Sequence, residues 1–233
     1  MKTFVLVPGA WHGSWCWKRV RAALTRLGHA VFTPSLTGLG ERSHQLSPEV
    51  DLETHIDDVA NLIRWEDLSD VVLVGHSYGG CIISGVADLM ADRISALVYL
   101  DAFILEDGQS LHDTLPEEAR QGQLDVAVAV GDGWRLPPIP AAVFNVNAAD
   151  REWVDAKCTA QPLASFRQKL RLTREALDVG SVHYILATGW GLPMTSFYEK
   201  AKVLGWATHE IAGGHDLMLD RPDELTSLLL QIE

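Results

Sequence analysis

Cysteine is scarce, and the three present, Cys16, Cys81 and Cys158, form an odd set without the spacing of a metal site. A disulfide framework and a zinc-binding module are thereby excluded, and a reducing, cytoplasmic home is expected. Basic residues are also few: 19 Lys and Arg stand against 31 Asp and Glu, a formal charge of -12. Without a clustered excess of cations the chain offers no footprint for a phosphate backbone, so no nucleic-acid partner is expected. No apolar run approaches the length of a membrane span. The run from Phe4 to Val7, closed by Pro8 and Gly9, is too brief for a signal-peptide core, so no secretory leader is expected. There is no internal repeat and no low-complexity tract.

What is present is an ordinary globular balance, 47% hydrophobic and 21% charged over 233 residues, enough for one domain with a sizeable core. Short apolar runs at residues 3–7, 30–33, 71–74, 96–100, 184–187 and 207–211 alternate with helical spacing at 15–27, 52–65, 81–90, 194–204 and 222–230. That alternation predicts an α/β fold, a mostly parallel sheet of about six strands flanked by helices. Residues 106–178 break the rhythm with the proline cluster Pro137, Pro138, Pro140 and no convincing strand pair. The interval reads as a small helical cap, with helices expected at 150–159 and 163–177, inserted into a core formed by 1–105 and 179–233.

Within the core, Val71-Val72-Leu73-Val74 runs into Gly75-His76-Ser77-Tyr78-Gly79-Gly80 and then an apolar helix. A serine between small residues on a tight strand-to-helix turn is a nucleophile elbow: the turn lifts the hydroxyl clear of the sheet and aims a helix N-terminus at the reacting carbonyl. Serine needs a base to take its proton. Of nine histidines, His215 has the right place, in the loop Ala212-Gly213-Gly214-His215-Asp216 between the last strand and the last helix. His76, inside the elbow, is expected to be structural. Backbone N–H groups at Ala10, in the loop after the first strand, and Tyr78, after the nucleophile, are the candidate oxyanion hole. His12 in that first loop either lines the pocket or stabilises the loop, and Trp11, Trp15 and Trp17 read mainly as packing. Glu41 and Arg42 are expected to tie the loop after the second strand, and Glu53, Asp57 and Asp58 to lie on a solvated helix face.

On the segments Phe4 to Gly13, Gly75 to Gly80 and Gly213 to His215, the chain resembles the plant hydroxynitrile lyase and methyl esterase branch of the α/β-hydrolases and their bacterial esterase-like relatives. It departs from them at three places. The first loop begins Pro8-Gly9 where the family usually has His-Gly. The usual slot for the triad acid, after the penultimate strand, holds Thr188-Gly189-Trp190-Gly191 and no carboxylate. Asp101, at the end of the strand after the nucleophile helix, stands where some dehalogenase-like relatives place their acid and is the expected third member, with Asp216 and Glu199 as alternatives. Finally, the lyases carry a lysine beside the catalytic histidine, where this chain has Asp216.

The resemblance and the motifs together imply acyl transfer on a small, apolar carboxylic ester by Ser77, His215 and Asp101, with no metal and no organic cofactor. Trp11, His12, Phe103, Phe144 and Phe166 are the candidate pocket residues. The expected partner is a small-molecule ester, with no nucleic acid and no membrane; a homodimer is possible. Two other readings stay open, a lyase or other elimination catalyst on the same site and a ligand-binding receptor that keeps the fold.

Overall fold

The structure, a computed structural model, describes residues 1–173, 178–191 and 193–232. The chain begins with β1 (Thr3–Val7), α1 (Lys18–Arg26), β2 (Ala30–Phe32) and α2 (Leu52–Trp65). It continues through β3 (Val71–His76), α3 (Gly79–Met90) and β4 (Ile94–Leu100). Between β4 and the next long strand lie α4 (Glu117–Val130), β5 (Arg135–Leu136), α5 (Arg151–Lys157), β6 (Gln161–Pro162) and α6 (Ala164–Arg167). The chain closes with β7 (Ser181–Ala187), α7 (Met194–Val203), β8 (Ala207–Ile211), α8 (Leu217–Asp220) and α9 (Pro222–Gln231).

The main sheet has the order β2-β1-β3-β4-β7-β8 with every neighbouring pair parallel. Successive strands step outward in one direction from β1 to β2 and in the other from β3 onward. The reversal opens a crevice at the carboxyl ends of β1 and β3, where open parallel sheets bind their ligands. All six residues of β3 are buried, as the continuous Val-Val-Leu-Val run requires of a central strand with helices on both faces. Helix α2 starts from a capping box: Asp51 Oδ1 accepts the Thr54 N–H at 2.9 Å while the Thr54 hydroxyl accepts the Asp51 N–H. It buries Leu52, His55, Ile56, Val59, Ala60 and Ile63, one stripe at helical spacing that packs on α3.

The structure departs from expectation in three local respects. Residues 163–177 were expected to form one helix, but α6 has only four residues. Beyond it the Leu170 amide donates to Gln109 O and its carbonyl accepts from Gly108, so tertiary pairing consumes the groups a helix would use; residues 174–177 lie outside the described residues. The interval expected to lack a strand pair contains the short antiparallel pair β5–β6, and it opens with α4, which sequence spacing did not single out. Asp58 is not merely solvated, since it accepts from the Thr37 amide at 2.6 Å and from Arg42 at 2.8 Å, and so clamps the loop after β2. Among the described residues no helix is long and apolar enough to cross a membrane.

Candidate active site

Beyond the carboxyl ends of three neighbouring strands stand non-glycine residues in the left-handed region: Trp11 (φ 63°) in the loop after β1, Ser77 (φ 53°) directly after β3 and Asp101 (φ 43°) directly after β4. Such positions cost about 1–3 kcal/mol each and persist only where the surroundings hold them. Here they are held. Trp11 N–H donates to the side chain of Gln161 at 3.0 Å, and Trp11 O accepts from Thr159 at 2.9 Å. The Ser77 amide donates to Leu100 O, its carbonyl accepts from Gly80 and Phe103, and Asp101 N–H donates to Ile185 O at 2.7 Å.

The elbow is as tight as its glycines suggest. A Cβ on Gly75 would stand 2.5 Å from Gly79 O, and one on Gly79 would stand 2.9 Å from Pro8 O. The loop after β1 passes directly over the serine, since a Cβ on Gly9 would lie 3.0 Å from Ser77 Cβ. Among the described residues neither the Ala10 nor the Tyr78 amide donates to another group. Tyr78 is pinned from below: its buried hydroxyl meets His55 Nδ1 at 2.9 Å, and His55 Nε2 donates to Thr37 O at 2.9 Å. Burial pushes the Tyr78 phenol well above its usual range, so it stays a donor to His55.

His215 Nδ1 lies 2.6 Å from Asp101 Oδ2 in a fully buried contact, and Asp101 Oδ1 accepts the Ala187 amide at 3.0 Å. The backbone around His215 is equally fixed. Its amide donates to Phe144 O at 2.9 Å, its carbonyl accepts from His76 Nε2 at 3.1 Å, and the Gly214 amide donates to Asp220 at 3.0 Å. Its ring is flanked by those of Trp190 at 4.1 Å, His76 at 4.5 Å and Phe144 at 5.4 Å between centroids. Of the alternative acids, Glu199 sits on α7 paired with Lys202 at 2.9 Å and is 60% exposed, while Asp216 is buried against His12 and His76.

Trp11, Phe144 and Phe166 form one aromatic group, with Trp11 6.1 Å from Phe144 and 5.9 Å from Phe166; Phe166 also touches Tyr78 at 5.5 Å. Phe103 supports the serine through its backbone, and its ring packs on Phe197 at 5.3 Å. His12 has both ring nitrogens engaged inside the protein, with Ala10 O and Asp216. Two contributors were not anticipated. Gln161 holds the Trp11 amide, and nothing local in the sequence marks a glutamine of β6 for that task. Trp190 stands in the slot where relatives carry their acid, which made it visible only as an absence. A separate cavity of about 600 Å³, lined by Ser84, Tyr99, Ile104, Lys200 and Trp206 among others, includes none of Ser77, His215 or Asp101. Among the described residues no group of three or more His, Cys, Asp or Glu is placed to hold a metal.

Residues 4–228 match the model of the alpha/beta hydrolase family. The chain is 44% identical over 238 aligned positions to a carbendazim hydrolyzing esterase of Nocardioides sp. (strain SG-4G), covering 98% of each. It is 25% identical to methylesterase 10 of Arabidopsis thaliana, covering 98% of this chain and 90% of that one. Among solved structures, an extracellular alpha/beta-hydrolase from a Paenibacillus species, described as sharing structural and functional homology with tobacco salicylic acid binding protein 2, superposes with a TM-score of 0.84 at 26% identity, over 100% of this chain and 99% of that one. Sheet order, strained elbow and these matches agree: the chain belongs to the alpha/beta hydrolase family, in the branch that includes the plant methylesterases.

Proposed function

We propose that the chain is a serine esterase acting on a small, apolar carboxylic ester through an acyl-enzyme. The observation that carries this reading is the buried 2.6 Å contact between His215 Nδ1 and Asp101 Oδ2 beside the elbow. It fixes the tautomer that leaves Nε2 free to take a proton, and the carboxylate stabilises the imidazolium formed. In the first half-reaction the Ser77 O–H proton passes to His215 Nε2 as Oγ bonds to the ester carbon. Charge on the carbonyl oxygen is received by the Ala10 and Tyr78 amides, which have no other acceptor among the described residues. His215 then gives its proton to the departing alkoxide, and the C–O bond breaks. Water, deprotonated by the same imidazole, adds to the acyl carbon; the acyl–Oγ bond then breaks as His215 returns the proton to Ser77 Oγ, and the acid is released.

Residues 106–178 act as a cap in this reading, because they supply Phe144 and Phe166 beside Trp11 and carry Gln161 to the oxyanion loop. An approach built of aromatic rings favours an ester with an apolar body. The relatives point the same way: one is a carbendazim hydrolyzing esterase and another a methylesterase. The test is turnover of p-nitrophenyl esters of graded chain length, aromatic methyl esters and carbendazim by the wild type, Ser77→Ala and Asp101→Asn. The wild type is expected to turn over at least one, with preference for short acyl groups. Each variant should lose about 10⁴-fold in kcat while keeping the wild-type circular dichroism spectrum. Near-normal rates in Ser77→Ala would overturn the mechanism, and near-normal rates in Asp101→Asn would remove that residue from it.

A further inference from the structure

A second buried histidine–carboxylate pair stands beside the first. Asp216, the residue after His215, is fully buried and turns its carboxylate to His12 in the loop after β1, with Oδ2 3.1 Å from His12 Nε2. The other ring nitrogen of His12, Nδ1, lies 2.7 Å from Ala10 O. A carbonyl oxygen can only accept, so Nδ1 of His12 carries hydrogen, and with Asp216 ionised Nε2 carries one as well, which makes the ring an imidazolium. Other groups facing the ring are Cys158 at the end of α5, with Sγ 3.9 Å from Nε2, the edge of His76 at 6.1 Å between centroids, and the stacked indole of Trp15 at 5.1 Å. None of them offers a second acceptor as strong as Asp216. Burial opposes the charge on His12, but Asp216, aided by Cys158, outweighs it and holds the imidazole well above its usual value. Burial likewise works against the Asp216 carboxylate, and the His12 charge overcomes it, holding Asp216 well below the ordinary range.

We propose that His12 and Asp216 form an imidazolium–carboxylate bridge that positions the hydrolytic site, with His12 fixing the peptide after Ala10 and cancelling a negative charge next to His215. Hydrogen bonding to Ala10 O locks the plane of the peptide that leads into strained Trp11, and so sets the direction of the preceding Ala10 amide. Asp216 joins that lock to the residue after His215, so the two halves of the site share one buried support. Charge matters as well as geometry. Asp216 Oδ1 already lacks a hydrogen bond and stands 3.6 Å from His76 Nε2. Without the imidazolium, an uncompensated carboxylate beside His215 would favour the protonated form of that base.

The proposal rests on the esterase reading, and its test separates the two. In His12→Gln, kcat should fall at least about tenfold with KM within about threefold, and the acid limb of kcat/KM should move to higher pH by about half a unit or more. In the double variant His12→Gln with Asp216→Asn, which removes both charges, the acid limb should return to its wild-type position. A kcat within twofold of wild type, a loss confined to KM, or an unmoved acid limb overturns the proposal. A second measurement needs neither folded variants nor activity: the imidazole ¹⁵N resonances of His12 in the wild type at pH 8 should report two protonated nitrogens, and a neutral tautomer there overturns it. A wild type without esterase activity would refute the function while leaving the His12 resonances to decide the bridge.

Discussion

At Trp11, Ser77 and Asp101 the backbone takes a conformation that L-residues avoid, and all three follow strands that lie side by side in the sheet. Non-glycine residues in this region also occur at Asp67, Asp70, Asp132 and Asn145, so the three mark a candidate site by their grouping beyond the carboxyl ends of adjacent strands, not by strain alone. Close packing around Ser77 makes a sharp prediction. A methyl group at Gly75 meets backbone at Gly79, which has no flexible end to yield. Gly75→Ala is therefore expected to destabilise the protein by about 1–3 kcal/mol, or to displace the elbow and remove activity. Chemical denaturation and a rate assay check it, and a variant equal to the wild type in both would contradict the packing. At this scale the sequence was informative where chemistry forces a local pattern. Ser77 stands between its glycines and His215 in its own loop, and Asp101 was legible as a carboxylate at a strand end. Which of Asp101, Asp216 and Glu199 meets the His215 ring depends on which way each side chain turns, and sequence spacing does not give that. The partner of His12 lies 204 residues away, and no spacing rule reaches that far.

Among the elements, the six sheet strands and the helices around them follow from apolar periodicity, with boundaries shifting by a few residues at most. The segment between β4 and β7 was less legible. Its short elements are stabilised by what they touch: β5 and β6 have two residues each, and α4 buries only Ala127. At the other end of the sheet, β7 and β8 bring His183 Nδ1 to 3.3 Å from His209 Nε2, with the rings stacked 5.5 Å apart. Burial, and then the charge of His209, lowers His183; burial lowers His209. Both titrate below their unfolded value of about 6.5, so between the folded and unfolded values the unfolded chain binds more protons. The stability from these neutral rings is complete above about pH 6.5 and is lost as pH falls below it. The urea midpoint of the wild type should thus drop between pH 7.5 and 5.5 by more than that of His209→Gln. Equal drops would show that the pair does not contribute.

Over the whole molecule, the reversal of strand order between β1 and β3 decides where function can reside. It opens the crevice into which β1 delivers the Ala10 loop and β3 delivers Ser77, while β4 and the loop after β8 bring Asp101 and His215 to the same edge. The formal charge of -12 gives the molecule as a whole no net attraction for a polyanion. The parallel sheet was foreseeable from alternation alone, whereas the packing of the segment between β4 and β7 on the loop after β1 was not, since contacts such as Gln161 with Trp11 join residues 150 apart. The central claim is that Ser77 becomes acylated with His215 as its base. Intact-protein and peptide mass spectrometry after treatment with a fluorophosphonate tests it most directly. One adduct per chain on the peptide containing Ser77, absent from Ser77→Ala and much slower to form in His215→Ala, is the predicted result; an adduct on another residue that tracks with loss of activity, or full activity in a chain labelled at Ser77, would contradict it.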